Sequence, residues 1–281
     1  MMLLNYIHWN PDPEIIKVLG ISIRYYSLLF VSGLFLSLYV LSWIFKQEKL
    51  SNDKLQILST YGFIGILVGA RLGHCLFYEP EYYLSHPIEM ILPIKFLENG
   101  GVKFTGYQGL ASHGGTLGLI VAIIFYSRKT KHAIIDTLDL IAVVAGLGAG
   151  FIRLANLMNS EIIGRPTFAS WGFIFERVDQ IPRHPAQLYE ALIYFLIFGI
   201  TFTLYKTKRA YLRNGFFFGF TLLLVFIARF FVEFIKERQV AFEEDMKLDM
   251  GQLLSIPYII IGVGFVIYGM QKTAKMRELS L

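Results

Sequence analysis

Seven long runs of mostly apolar residues, at 25–45, 58–78, 110–127, 134–158, 188–205, 216–235 and 253–270, dominate the chain. A helix needs about 20 such residues to cross a hydrocarbon core about 30 Å thick, so each run has the reach of a transmembrane span. Composition agrees: 55% of the 281 residues are hydrophobic, 17% are charged and the mean hydropathy is +0.53. These values exclude a soluble globule. The low charge and the 25 Phe and 16 Tyr also exclude a disordered chain. The expected fold is an all-α polytopic membrane protein, a single integral membrane domain over residues 1–281 with seven transmembrane helices.

Basic residues orient the spans. Lys46, Lys49 and Lys54, then Arg128, Lys129 and Lys131, then Lys206, Lys208, Arg209 and Arg213, then Lys272, Lys275 and Arg277 occupy four alternate connections and hold 13 of the 26 Lys and Arg. With seven spans all four fall on one side, which the positive-inside rule makes the cytoplasm. The amino terminus is then outside and the carboxyl terminus inside. The opening MMLLNYIHWNPDPE lacks the basic start of a signal peptide, so an uncleaved membrane protein is expected. The net charge of +5 is divided among these short loops, which suits a membrane surface and gives no ground for a nucleic-acid partner. The lone cysteine, Cys75, cannot close an internal disulfide, and no Cys/His cluster has zinc-ligand spacing.

Two outer segments are long, and long loops in a compact protein tend to be functional. Residues 79–109 form an outer arm. Residues 159–187 mix Ile162, Ile163, Phe173, Ile174 and Phe175 with Gly164, Pro166, Gly172 and Pro182, the pattern of a small cap with short strands and tight turns. A shorter outer stretch carries Glu243, Glu244 and Asp245. Glycines at four-residue spacing, Gly65, Gly69 and Gly73, then Gly146 and Gly150, predict close helix packing.

Charged groups inside a bilayer are costly and mark functional sites. Arg71 and Arg229 each lie 13 residues above the cytoplasmic start of their runs, about 20 Å up at 1.5 Å per residue. Arg153 is higher, and Tyr26 and His113 begin their spans from the outer side, so five polar groups from five helices share one outer layer. A guanidinium fork matches phosphate or carboxylate oxygens bidentately. Pairing with an acid is the expectation for Arg71; for Arg153 and Arg229 together it is a bound anion, with Glu233 on the same face as Arg229, and Glu161 and Glu190, as the alternative partners. His113 stands in Ser112-His113-Gly114-Gly115, where two glycines admit a backbone or headgroup to an imidazole suited to proton transfer near neutral pH.

The segments Ser112-His113-Gly114-Gly115, Arg153-Leu154-Ala155-Asn156-Leu157-Met158-Asn159-Ser160-Glu161-Ile162-Ile163-Gly164-Arg165-Pro166-Thr167, His184-Pro185-Ala186-Gln187-Leu188-Tyr189-Glu190, Arg229-Phe230-Phe231-Val232-Glu233-Phe234 and Met250-Gly251-Gln252 resemble, in order and spacing, the bacterial phosphatidylglycerol:prolipoprotein diacylglyceryl transferases. The resemblance implies a seven-span enzyme of the bacterial inner membrane with a periplasmic cap. Such an enzyme transfers the diacylglyceryl group of phosphatidylglycerol to the thiol of the lipobox cysteine of a prolipoprotein, releasing glycerol phosphate. Its partners are then phosphatidylglycerol, prolipoprotein signal peptides and membrane lipid, with no cofactor and no metal. Carried over by motif, His113, Arg153 and Arg229 match the essential histidine and arginines, and Tyr26, Asn156, Glu161, Gly164 and Glu233 match further functional positions. The chain departs from the family at Ala155 and Ser160, where glycines are usual.

The implied reaction displaces phosphate from a glycerol carbon by a thiol. His113 is the candidate general base; alternatively the arginine field stabilises the thiolate and His113 orients the headgroup. Arg153 and Arg229 are the candidates for holding the phosphate as it gains charge. Asn156, Asn159 and Glu161 are candidates for the glycerol hydroxyls, with Gly164 and Arg165 shaping the cap above. The rival reading is an organic-anion transporter, in which Asp136, Asp139 and Glu233 relay ions; the outer depth of the arginines counts against it, because a carrier site belongs near the midplane.

Overall fold

The computed structural model describes residues 6–18, 21–97, 100–104, 109–238 and 246–271. The long helices are α1 (Tyr25–Gln47), α2 (Asn52–Phe77), α5 (Ser112–Thr130), α6 (Ile134–Asn159), α7 (Ala186–Lys208), α8 (Phe216–Val232) and α9 (Met250–Met270), and two short ones, α3 (Pro80–Ser85) and α4 (Pro87–Ile91), follow α2. Among the described residues six helices are long and apolar enough to cross a membrane: α1, α2, α6, α7, α8 and α9. The chain is therefore read as an integral membrane protein. The remaining expected span, 110–127, is also helical, but α5 opens on polar Ser112 and His113 and closes on Arg128 and Lys129, which dilutes its apolar length. The acidic stretch Glu243, Glu244 and Asp245 and the basic residues Lys272, Lys275 and Arg277 lie outside the described residues.

The chain divides into two compact units, residues 44–137 and residues 1–43 with 138–281. In the first, α2 and α5 meet along their glycines. A methyl group added at Gly73 would sit 2.8 Å from the Gly114 Cα, and one at Gly65 would sit 2.8 Å from the Ala122 Cβ. This is the close approach that the four-residue spacing predicts. Along the same pair runs an apolar groove of about 940 Å³, from Tyr61 and Lys129 to Phe77 and Gly114.

The segment after α2 folds as α3, α4 and a hairpin of β4 (Ile94–Phe96) and β5 (Val102–Phe104). Arg71 of α2 ties it down, donating from Nη2 to the Glu89 carbonyl at 2.7 Å and from Nε to the Met90 carbonyl at 3.1 Å, with its guanidinium 4.7 Å from the Tyr83 ring centre. The buried Glu89 carboxylate accepts from the Tyr82 hydroxyl at 2.6 Å and from the Phe96 amide at 2.7 Å. These donors hold the Glu89 carboxyl below the usual range, Tyr82 foremost, and the same bond pushes the Tyr82 phenol up to about 12.

In the other unit, β1 (Ile7–Trp9) runs parallel to β6 (Phe173–Phe175), which pairs antiparallel with β7 (Pro182–Arg183). A separate hairpin of β2 (Glu14–Val18) and β3 (Ile21–Arg24) leads into α1. Phe173 and Phe175 pack with Leu157 and Ile163 into a small core, closed by Trp9 and Leu188. Trp9 also donates from Nε1 to the Leu157 carbonyl at 2.9 Å, which satisfies one carbonyl at the end of α6. The short strands expected within 159–187 are thus present, and the strand from residues 7–9 that completes their sheet is an addition.

Asp139 serves α8. No side chain caps that helix from Gly215 (φ 99°), and the fully buried Asp139 carboxylate instead accepts from the Gly215 and Phe218 amides, both at 2.8 Å. A carboxylate at a helix N-terminus satisfies orphan donors and the helix dipole together.

Candidate active site

The site is built where α6 ends. Arg153 and Asn156 are one turn apart on that helix, with Arg153 Nη1 3.4 Å from Asn156 Oδ1. The helix stops at Asn159 because Ser160 (φ 55°) takes the left-handed conformation, and Ile162 (φ 58°) does so again two residues on. Glu161 stands between them. Its carboxylate accepts from Asn156 Nδ2 at 3.1 Å and from Asn159 Nδ2 at 2.8 Å, and its carbonyl accepts from the buried Gln187 at 2.5 Å. Tyr26, near the start of α1, lies within the electrostatic reach of Glu161 and Arg153.

Behind this turn lies a buried ionic cluster. Glu190 of α7 is 1% exposed, with Arg153 Nε 3.0 Å from Oε2 and Lys236 Nζ 3.0 Å from Oε1. Both are ion-pair contacts without the alignment of hydrogen bonds. Lys236 is itself 5% exposed and also lies 3.4 Å from Glu233 Oε2. The Tyr194 hydroxyl is in hydrogen-bonding reach of Arg153 and in the field of both Glu190 and Arg229. Arg229, on α8, lies within electrostatic reach of Tyr194. The alternative partner for Arg229, Glu233, does not pair with it: Glu233 is engaged by Lys236, and Arg229 forms no ion pair among the described residues.

The backbone around the cluster is tightly closed. Gly164 pairs with Lys236 in an isolated bridge and donates to the His184 carbonyl at 3.0 Å. A methyl group there would come 2.6 Å from the His184 Cβ and 2.9 Å from the Ile235 carbonyl. Gly251 meets the Glu233 carboxylate in the same way, 2.6 Å from Oε1 to a Cβ position. Arg165 donates from Nε to the Lys236 carbonyl at 2.8 Å and from Nη2 to Asp249 at 3.2 Å. Below the sheet, Arg183 bonds Asp179 at 2.6 Å and holds its carboxyl below the usual range.

The family described as prolipoprotein diacylglyceryl transferase matches residues 13–268. The chain belongs to that family. A phosphatidylglycerol–prolipoprotein diacylglyceryl transferase of Bacteroides fragilis is 57% identical over 274 residues, covering 97% of this chain and 99% of the relative. One of Chloroherpeton thalassium is 44% identical, covering 98% of each chain. One of Porphyromonas gingivalis is 41% identical, covering 95% of this chain and 96% of its own.

In this diacylglyceryl transferase family member, then, Tyr26, Arg153, Asn156, Asn159, Glu161, Gly164, Arg229 and Glu233 belong to one unit, residues 1–43 with 138–281, and Asn156, Asn159 and Glu161 bond to one another there. His113 belongs to the other unit, exposed in the first turn of α5 beside the glycine contact with α2. Lys236 and Tyr194 were not expected at the site. A single lysine just beyond an apolar run reads as a side chain reaching to the interface, and a tyrosine inside one carries no charge to mark it. The Arg165–Asp249 pair joins segments 84 positions apart, and the Arg238–Asp249 pair, at 2.9 Å, spans 11, so no helical spacing announces either.

Proposed function

We propose that this chain transfers the diacylglyceryl group of phosphatidylglycerol to the thiol of a prolipoprotein's lipobox cysteine, the first step of lipoprotein maturation. The names of its relatives state that donor and that acceptor class. The observation in the chain itself that carries the reading is the ionic cluster: Arg153 meets Glu190 there, and Arg229, within electrostatic reach of the same Tyr194, has no acid partner among the described residues. Such an arrangement suits a phosphodiester, whose single negative charge is shared by two oxygens.

In this reading α5 is the seventh span, its 19 residues extending about 28 Å. The basic connections then face the cytoplasm of a bacterium whose inner membrane holds the protein, and the arm 79–109 and the cap 159–187 face the periplasm.

A lipobox thiol of ordinary pKa about 8.5 must lose its proton to attack. His113 takes that proton. The sulfur forms a bond to the glycerol carbon that carries the phosphate, the carbon–oxygen bond breaks, and its electron pair leaves on the phosphate oxygen. Arg153 and Arg229 hold that phosphate as its charge grows, and donors fixed in advance in a dry site need no reorganisation at that moment. Tyr26, Asn156, Asn159, Glu161 and Glu233 line the headgroup, with Gly164 keeping the cap close above them.

The test is to incubate the purified protein with phosphatidylglycerol and a lipobox peptide and to weigh the peptide. A mass gain of one diacylglyceryl group on cysteine, absent with a Cys→Ser peptide and with His113→Gln, is expected. No adduct from the wild-type protein would overturn the proposal, and near-normal turnover by His113→Gln would remove the histidine from the base role.

A further inference from the structure

A lysine that is 5% exposed is rare unless it is paired, and Lys236 is paired twice, to Glu190 Oε1 at 3.0 Å and to Glu233 Oε2 at 3.4 Å. Each contact has a consequence for a neighbouring arginine. Glu233 lies four residues after Arg229, the helical spacing at which an acid and a base pair, yet its carboxylate lies against Lys236 and Gly251. Glu190 meets Arg153 through Nε and Oε2 at 3.0 Å, while its other oxygen lies 3.0 Å from Lys236. We infer that Lys236 is a charge-balancing positioning residue: it occupies the buried carboxylate of Glu190 and the part-buried one of Glu233 and so keeps the guanidinium groups of Arg153 and Arg229 available for an anionic ligand.

The charges in the cluster show why a third cation is required. Arg153, Arg229 and Lys236 face Glu161, Glu190 and Glu233. Without Lys236 the three acids outnumber the two arginines, and the buried Glu190 and the part-buried Glu233 take whatever cation is in reach. Glu233 then turns to Arg229, and Glu190 competes for more of Arg153. An incoming phosphate has to displace those carboxylates before it can bind. Lysine suits the position because it is a compact point charge that two acids can share, and the fork needed for bidentate binding stays on the arginines.

The inference rests on the reading of Arg153 and Arg229 as phosphate ligands, and kinetics separate the two. With the lipobox peptide saturating, KM for phosphatidylglycerol and kcat are measured for the wild type, Lys236→Met, Lys236→Arg and the double variant Lys236→Met/Glu190→Gln. Lys236→Met is expected to raise KM by at least about tenfold, with a smaller change in kcat. Lys236→Arg, which keeps the charge, should stay near the wild-type KM. The double variant, which removes one positive and one negative charge together, should recover most of the loss.

A purely packing role makes the double variant no better than the single one, and that result would overturn the inference, as would an unchanged KM in Lys236→Met. Should Lys236→Met not purify as folded protein, Lys236→Gln and its pairing with Glu190→Gln carry the same two expectations. Absence of any transfer by the wild type would instead defeat the functional reading on which the inference stands.

Discussion

Asn156 donates from Nδ2 to Oε2 of Glu161 at 3.1 Å, bridging the end of α6 and the turn that follows it. The bond closes over a backbone reversal made by two left-handed residues, Ser160 and Ile162. Neither is glycine, so each holds its conformation at a cost of order 1 kcal/mol or more. The surroundings hold the turn in place: Arg177 donates to the Met158 carbonyl at 2.6 Å and to the Ser160 hydroxyl at 3.1 Å, while Gln187 holds the Glu161 carbonyl from α7. The carboxylate of Glu161 is thereby fixed beside Arg153 without being given to it.

Ser160→Gly removes the left-handed penalty and loses one of the two Arg177 contacts. The backbone effect is the larger, because Arg177 keeps its shorter bond to Met158. A gain of about 0.5–1 kcal/mol in unfolding free energy is expected, read from thermal or denaturant unfolding in detergent, with the transfer rate unchanged. A loss of stability would mean that the Arg177–Ser160 bond outweighs the strain.

Gly164→Ala places a methyl group against the His184 backbone and the Ile235 carbonyl. Neither neighbour is a flexible side-chain end, so the bridge to Lys236 must open. A loss of about 1–3 kcal/mol is expected, together with a fall of at least about tenfold in transfer, because the bridge also positions the lysine next to Glu190. Stability and activity at wild-type level would show that the cap yields freely.

Asp139→Ala leaves the Gly215 and Phe218 amides without the buried acceptor that caps α8. Destabilisation of about 2 kcal/mol is expected, while turnover per folded molecule stays normal. A carboxylate occupied by two helix amides is poorly placed to relay ions, so this variant also tests the transporter reading: anion flux in proteoliposomes that disappears with Asp139→Ala would revive it.

Acid should loosen the arm. Glu89 has its carboxyl lowered in the folded protein, chiefly by the Tyr82 hydroxyl and then by the Phe96 amide. Its contribution is therefore complete above the ordinary glutamate range near pH 4.3 and is lost as the pH falls through the lower folded value. Limited proteolysis between residues 79 and 97 should accelerate below about pH 4, and Glu89→Gln should show faster cleavage already at neutral pH. Cleavage that does not depend on pH would show that Arg71 holds the arm by itself.

What the sequence made legible follows from length scales. Apolar runs of span length identify helices because the bilayer imposes one dimension on all of them, and the glycine spacing of α2 announced a close helix contact, which α5 makes. The Arg153–Glu161 stretch was readable because its members are close in sequence, so one helix end and one turn bring them together. Strand β1 was not legible: three residues, Ile7–Trp9, show no alternation, and they pair across more than 160 positions with Phe173–Phe175. Lys236 was hidden for a related reason, since its partner Glu190 lies on another helix and only packing brings the two within 3.0 Å. The run 110–127 shows the converse: the sequence reads it as a span, yet the helix found there, α5, carries Ser112 and His113 at one end and Arg128 and Lys129 at the other and is not among the six described helices apolar enough to cross a membrane.

The most direct test of the proposal that Arg153 and Arg229 hold the phosphate is the initial rate of diacylglyceryl transfer by Arg153→Lys and Arg229→Lys, measured side by side with the wild type. Lysine keeps the charge and removes the fork. Each variant is expected to lose at least about 100-fold in kcat/KM, the scale of a lost transition-state donor. A rate within about twofold of wild type for either one would contradict the role assigned to that arginine.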